Sequence, residues 1–199
     1  MTTEAGPSAS TRERILEVAI PLFAEHGFAG TSVRMVGQGA SVNVATLAYH
    51  FDDKEGLYRA CIERLYEDLS ALDVPPPGPG VDPLADFVRT AWAYVRSRRT
   101  HVRLLHRHLL DRGHHHEAFR TRWMTPLLHA ADPLFDGLRP DLDDTGRRLI
   151  LFTSMHLLVR FVLDDPADLA DSLQVDLDDL DATMVRWLTH LVRAQLAVP

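Results

Sequence analysis

Between Thr31 and Leu57 the chain reads TSVRMVGQGASVNVATLAYHFDDKEGL, and this window constrains the fold more than any other stretch. Thr31 can cap a first short helix whose apolar side is Val33 and Val36, and Ala40, Ser41 and Val42 form a turn. Asn43 then starts a second short helix. Its inner face carries Leu47, three residues ahead of His50 and four ahead of Phe51, while Asn43, Val44, Thr46 and Tyr49 share the outer face. Two short helices around a tight turn, one buried and one presenting polar and aromatic groups outward, make a helix-turn-helix of the kind that reads duplex DNA.

The flanks agree with that reading. Ser10 and Glu13 have capping-box spacing, and Ile15, Ala19, Leu22 and Phe23 follow on one face of an amphipathic helix that Gly27 ends. Pro21 within it deletes one backbone donor, so a kink, or packing that suppresses one, is expected. Asp52 and Glu55 make a second capping box, which opens a helix with Leu57, Cys61 and Leu65 spaced by four.

These residues resemble the tetracycline-repressor-like (TetR) family of bacterial transcription regulators. The matching groups are Gly27-Phe28, Thr31-Ser32-Val33-Arg34, Leu47-Ala48-Tyr49-His50-Phe51 and Lys54-Glu55-Gly56-Leu57, in that order. The resemblance runs from about residue 11 to 70 and implies DNA contacts from Arg12, Thr31, Ser32, Arg34, Asn43, Val44, Thr46, Tyr49, His50 and Lys54. Three departures stand out. Gly37 and Gly39 lie inside the first helix of the pair, where each disfavours helix by about 0.5 to 1 kcal/mol relative to Ala, so a soft helix is expected. Ser41 occupies a turn position where the family often has Gly.

Composition narrows the function classes. A chain of 199 residues, 46% hydrophobic and 25% charged, suits an ordinary soluble globular protein. Neither a membrane-spanning apolar run nor the apolar stretch of a signal peptide is present in the sequence, so a cytoplasmic location is expected. The single cysteine, Cys61, excludes an intramolecular disulfide and a multi-cysteine metal cage. Residues 1–70 hold six basic side chains against ten acids, a net of −4, which is unusual for a nucleic-acid binder. The charge must therefore be arranged locally: Arg12, Arg14, Arg34 and Lys54 towards the duplex, with Glu63, Glu67 and Asp68 at the far end of the long helix.

The expected organisation is all-α. It comprises a disordered tail at 1–9, a three-helix helix-turn-helix domain at 10–56, a connecting helix at 57–73, a Pro/Gly linker at 74–83, and a helical ligand-binding and dimerisation domain at 84–199. In that last domain the spacing predicts helices at about 84–98, 100–112, 115–138 (bent at Pro126 and Pro133), 145–163 and 177–197. The stretch 149–163 is apolar almost all round and should be buried on several sides. Leu177, Leu180, Met184, Leu188, Leu191 and Leu196 form a stripe on the last helix that needs a partner, and the resemblance implies a four-helix dimer interface built from these two helices.

Residues 96–122 contain eight Arg and six His against Asp111 and Glu117. Three readings compete here: an anion-accepting pocket, a metal site at His114-His115-His116, and a solvated basic face, the last being favoured because consecutive histidines rarely converge on one ion. On the apolar helix, His156 and Arg160 are one turn apart on the face of Phe152, and a buried arginine needs an acid, carbonyls or a ligand anion. The pocket candidates are Trp92, Arg103, His106, Arg107, Trp123, Phe152, His156 and Arg160, facing an apolar or aromatic effector that bears an acidic or otherwise electron-rich group; the alternative is that Arg160 pairs with a carboxylate such as Asp164, Asp165 or Asp111. No nucleophile elbow, phosphate loop or metalloprotease motif occurs, and no metal or cofactor is expected. The reading that results is a non-enzymatic homodimeric regulator, a repressor of a palindromic double-stranded operator, released by a small molecule of unknown identity. Its competitors are a helical DNA-binding protein without effector and a helical enzyme using the His-rich region.

Overall fold

Ser10 accepts a hydrogen bond from the Glu13 amide at 3.2 Å and starts α1 (Thr11–Gly30). Glu13 does not return its carboxylate to the cap, as a full capping box would; it takes Arg64 at 2.6 Å instead. The structure is a computed structural model that describes residues 10–70, 80–112, 121 and 125–197. Ile15, Leu16, Ala19, Ile20 and Phe23 form the buried side of α1. The helix runs on through Pro21, which faces solvent, and regular geometry breaks at Gly27 with φ 70°.

α2 (Val33–Gly39), α3 (Val44–Phe51) and α4 (Lys54–Ser70) follow. The glycines of α2, expected to soften it, are a packing requirement. A Cβ on Gly37 would lie 2.9 Å from the Val42 carbonyl oxygen, and one on Gly39 would lie 2.6 Å from Val18 Cγ1 of α1. The α3–α4 corner is closed in the same way, since a Cβ on Gly56 would meet the Phe51 carbonyl oxygen at 2.0 Å. The cap of α4 is Asp53, whose Oδ1 takes the Gly56 amide at 2.8 Å. Asp52, expected in that role, has φ 64° and terminates α3, which shifts the cap by one residue.

The remaining helices are α5 (Pro83–Ser97), α6 (Arg99–Arg112), α7 (Thr125–Leu138), α8 (Asp144–Leu163), α9 (Pro166–Leu173) and α10 (Leu180–Leu196), the last preceded by a 3-10 turn at Leu177–Asp179. α9 was not anticipated. Its signal is Asp165-Pro166, an N-cap that accepts from the Ala167 and Asp168 amides followed by proline at the first helical position. α6 packs on α1 and α4, and α10 packs on α5 and α8. Asp181 of α10 fixes α5 twice, taking Trp92 Nε1 at 2.8 Å and Arg96 Nε at 3.1 Å.

Two packing expectations are corrected. Leu180, Met184, Leu188 and Leu196 of α10 are buried within this chain, so most of that stripe already has its partner in α5. α8 is not enclosed on several sides: Leu151 and Val162 are buried, whereas Leu149 is 62% exposed and Phe152 lies open beside it. The tail 1–9, linker residues 74–79, the end of the expected connecting helix from 71, His114 to His116 and Trp123 lie outside the described residues. No helix among the described residues is long and apolar enough to cross a membrane.

Cys61 is fully buried between α1 and α4, and burial pushes its thiol up to about 12 despite the opposing charge of Arg12. Folded-state protonation is thus retained above the unfolded value of about 8.5, and the stability it supports declines as pH rises from about 8.5 through 12. Ellman's reagent at pH 8 is expected to leave the native thiol untouched and to titrate one thiol per chain in denaturant; rapid native labelling would contradict the packing of α1 on α4.

Candidate nucleic-acid interface and interior cavity

α3 stands on a turn made of three backbone bonds: Ala40 N to Val36 O at 2.9 Å, Ser41 N to Gln38 O at 3.2 Å and Val42 N to Gly37 O at 2.9 Å. Ser41 takes φ 53°, the left-handed conformation that the turn demands and that glycine would adopt without strain. Arg14 of α1 locks the corner by donating Nε to the Ala40 carbonyl at 3.3 Å. Sequence reading placed Arg14 towards a duplex, and this bond gives it a role inside the domain.

Asn43 caps α3, its Oδ1 accepting the Thr46 amide at 2.8 Å and the Thr46 hydroxyl at 3.0 Å. Leu47 and Phe51 are buried beneath, while Asn43, Val44 and Tyr49 face solvent and Tyr49 is 84% exposed, touching only His50 edge-on at 5.2 Å among ring contacts. Thr46 and His50 are half-buried at the margins of this face. Ser32 is the cap of α2, accepting the Met35 amide at 3.2 Å, and remains exposed beside Arg34. Thr31 is a correction. It is only 1% exposed, and its hydroxyl donates to the Leu22 carbonyl at 3.0 Å and the Gly27 carbonyl at 2.9 Å, so it closes the end of α1 and has no free face for DNA.

The cations around α3 rest on aromatic rings. Arg12 lies over Phe51 at 5.4 Å and Lys54 over Phe28 at 4.4 Å, which holds both charges at the rim of the domain at a modest loss of side-chain freedom. Two of the acids, Glu13 and Asp68, are tied to Arg64, at 2.6 and 3.0 Å, on the flank formed by α1 and α4.

The family description "Bacterial regulatory proteins, tetR family" matches residues 15–61. Residues 15–61 are thus a domain of this family. That domain is 44% identical over 61 residues to the probable HTH-type transcriptional regulator YttP of Bacillus subtilis, 31% of this chain and 30% of that one. It is 41% identical over 56 residues to the HTH-type regulatory protein RaaS of Mycobacterium tuberculosis, covering 28% and 26% of the two chains. The chain thus matches under a third of the length of these curated relatives. Over the whole length the fold is that of a TetR-like transcriptional regulator from Rhodococcus sp. RHA1, with TM-score 0.67, 18% identity and coverage of 98% and 100%. A putative regulator from Streptomyces coelicolor, SCO4942, superposes with TM-score 0.69 at 23% identity over 92% of this chain and 98% of that one.

Behind this TetR-type domain the C-terminal helices enclose a cavity of about 90 Å³ between α5, α7, α8 and α10. Phe87, Tyr94, Phe135, Met155, Leu158 and Ser154 are among its walls. None of the described residues expected to line a pocket does so. Trp92 is core, bonded to Asp181. Arg107 lies at the junction of the two domains, its Nη1 2.6 Å from where a Cβ on Gly27 would be. His106 is exposed and Arg103 half-buried; the histidine that turns inward from α6 is His108, 3% exposed, with Nδ1 3.2 Å from the Tyr58 hydroxyl. Phe152, His156 and Arg160 sit on the open face of α8, where His156 meets the Phe152 carbonyl at 2.7 Å and Arg160 pairs with Asp164. Arg160 and Asp164 are one helical turn apart, so an intrahelical pair was open to them without any burial. Among the described residues no group of three or more His, Cys, Asp or Glu could hold a metal ion.

Thr31→Val is expected to destabilise the domain by about 1 to 3 kcal/mol in urea unfolding, because two buried carbonyls lose a donor. Tyr49→Ala should stay within about 0.5 kcal/mol of the parent, as a side chain outside the core does. The reverse ranking would place Tyr49 in the core and Thr31 on the surface.

Proposed function

We propose that the protein is a homodimeric transcriptional repressor that holds a palindromic operator with its two α3 helices and lets go when a small molecule enters the cavity. The observation that carries the DNA half is the outer face of α3, which contributes nothing to the core yet is held by a capped, doubly clamped turn. Asn43, Val44, Thr46 and Tyr49 read base edges, while Arg12, Ser32, Arg34, His50 and Lys54 hold phosphates and fix the register. The TetR-family domain supports this reading, as does a relative that is a negative transcriptional regulator, IcaR of Staphylococcus epidermidis, 34% identical over 55 residues. Such a repressor works in the cytoplasm, where the DNA is.

Coupling to the cavity runs through Tyr94. Its ring is a cavity wall and its hydroxyl donates to the Asp68 carbonyl of α4. The Asp68 carboxylate holds Arg64, which reaches Glu13 of α1, and faces His101 of α6 at 3.4 Å. Burial lowers the His101 pKa more than Asp68 restores it, and Arg98 and Arg64 lower it further, so the ring that faces Asp68 is neutral near neutral pH. A ligand that pushes Tyr94 outward shifts α4 and with it the spacing of the two α3 helices away from the roughly 34 to 36 Å of successive major grooves. A protein of similar fold, the multidrug binding protein EbrR, has been solved with malachite green (TM-score 0.61, 17% identity), which supports a small-molecule effector.

The second copy covers the open side of α8 and α10, where Leu149, Phe152 and Trp187 lie exposed and Phe161 supports Trp187 edge-on at 5.6 Å. Selection of bound sequences from random duplex DNA is expected to enrich a palindrome with half-sites about 10 to 10.5 base pairs apart or a multiple of that; recovery of unenriched DNA would refute sequence-specific binding. Sedimentation should show a dimer at micromolar concentration that Leu149→Glu with Trp187→Glu converts to a folded monomer, whereas a monomeric parent would refute the dimer.

A further inference from the structure

We infer that the cavity takes an uncharged, largely hydrocarbon molecule with one hydrogen-bonding group that meets Ser154; this rests on reading the cavity as the effector site and replaces the acidic effector expected from sequence. Among the described residues no charged side chain lines it, and the hydroxyls there are those of Tyr94 and Ser154. Tyr94 already donates to the Asp68 carbonyl. Ser154 Oγ is buried without a hydrogen-bond partner. That is unusual for a helical serine, which ordinarily bonds back to the preceding turn, as its neighbour Thr153 does to the Leu149 carbonyl at 2.8 Å. An unsatisfied buried hydroxyl is costly, and a ligand group that pairs with it removes that penalty.

An ion entering the same space would lose its hydration and find no counter-charge among the described residues, since His156 and Arg160 lie on the outside of α8 and Arg107 lies at Gly27. Size sharpens the class. At about 90 Å³ the cavity is smaller than the roughly 150 Å³ apolar cavity known to hold benzene, so any bicyclic ring enters only by displacing walls. Met155, Leu134 and Leu158 can change rotamer, and Tyr94 is the wall joined to α4.

Calorimetric titration of the full-length protein with 2-naphthol, 2-naphthoate and naphthalene tests this. 2-Naphthol is expected to bind with one site per chain and at least tenfold more tightly than 2-naphthoate. Ser154→Ala should weaken 2-naphthol about three- to tenfold and leave naphthalene unchanged. Ala91→Phe, which fills the space, should abolish 2-naphthol binding in a protein whose circular dichroism and melting are retained. Naphthoate binding as tightly as naphthol, or naphthol binding that survives in the folded Ala91→Phe protein, overturns the inference. These titrations need no DNA; whether 2-naphthol releases the selected operator is measured separately and reports on the effector reading alone.

Discussion

The burial of α6 against α1 and α4 is the contact on which the rest of the molecule depends. Val102, Leu104 and Leu105 fill it, and His108 reaches the Tyr58 hydroxyl, whose ring is met edge-on by Phe23 at 5.0 Å and Phe28 at 5.2 Å. One aromatic cluster therefore belongs to both domains. Because its members are packed rings rather than a flexible tether, α6 cannot shift against α1 and α4 without repacking them. Arg99 ties the other end of α6 into the C-terminal domain, donating to the Leu163 and Asp164 carbonyls at 3.2 and 2.9 Å and so satisfying the end of α8.

What sequence revealed and what it hid follow from the range of the interactions. α2, the turn and α3 were legible because local signals specify them: a cap, an apolar spacing of three and a small-residue break. α5, α6 and α8 were read to within a residue or so for the same reason. Thr31 was misassigned because its two acceptors are carbonyls at Leu22 and Gly27, and nothing in the spacing of side chains announces a hydroxyl that bonds backwards into the preceding helix. The glycines of α2 looked like weakness for a related reason: the Val42 carbonyl that excludes a side chain at Gly37 is defined only once the turn exists.

The pocket was the poorest reading. An arginine in an apolar stretch was taken to face inward, but α8 presents one side to the core and another to the outside, and its period does not say which side is which when both are apolar. Ser154, inconspicuous among leucines, is the polar atom that points into the cavity space. Abundant charge drew attention to residues that solvent and short-range pairs already satisfy, whereas the informative group was a lone hydroxyl without a partner.

The outer face of α3 carries a consequence for how such a chain can diversify. Val44 and Tyr49 are exposed, and the core beneath them is completed by Leu47 and Phe51 alone. Val44 and Tyr49 can be exchanged without disturbing what keeps the domain folded, whereas Asn43 and Thr46 beside them hold the cap of α3, so drift at those two exposed positions is filtered by recognition and not by folding. Duplicated copies can thus acquire new addresses on a genome one substitution at a time, with no intermediate that fails to fold.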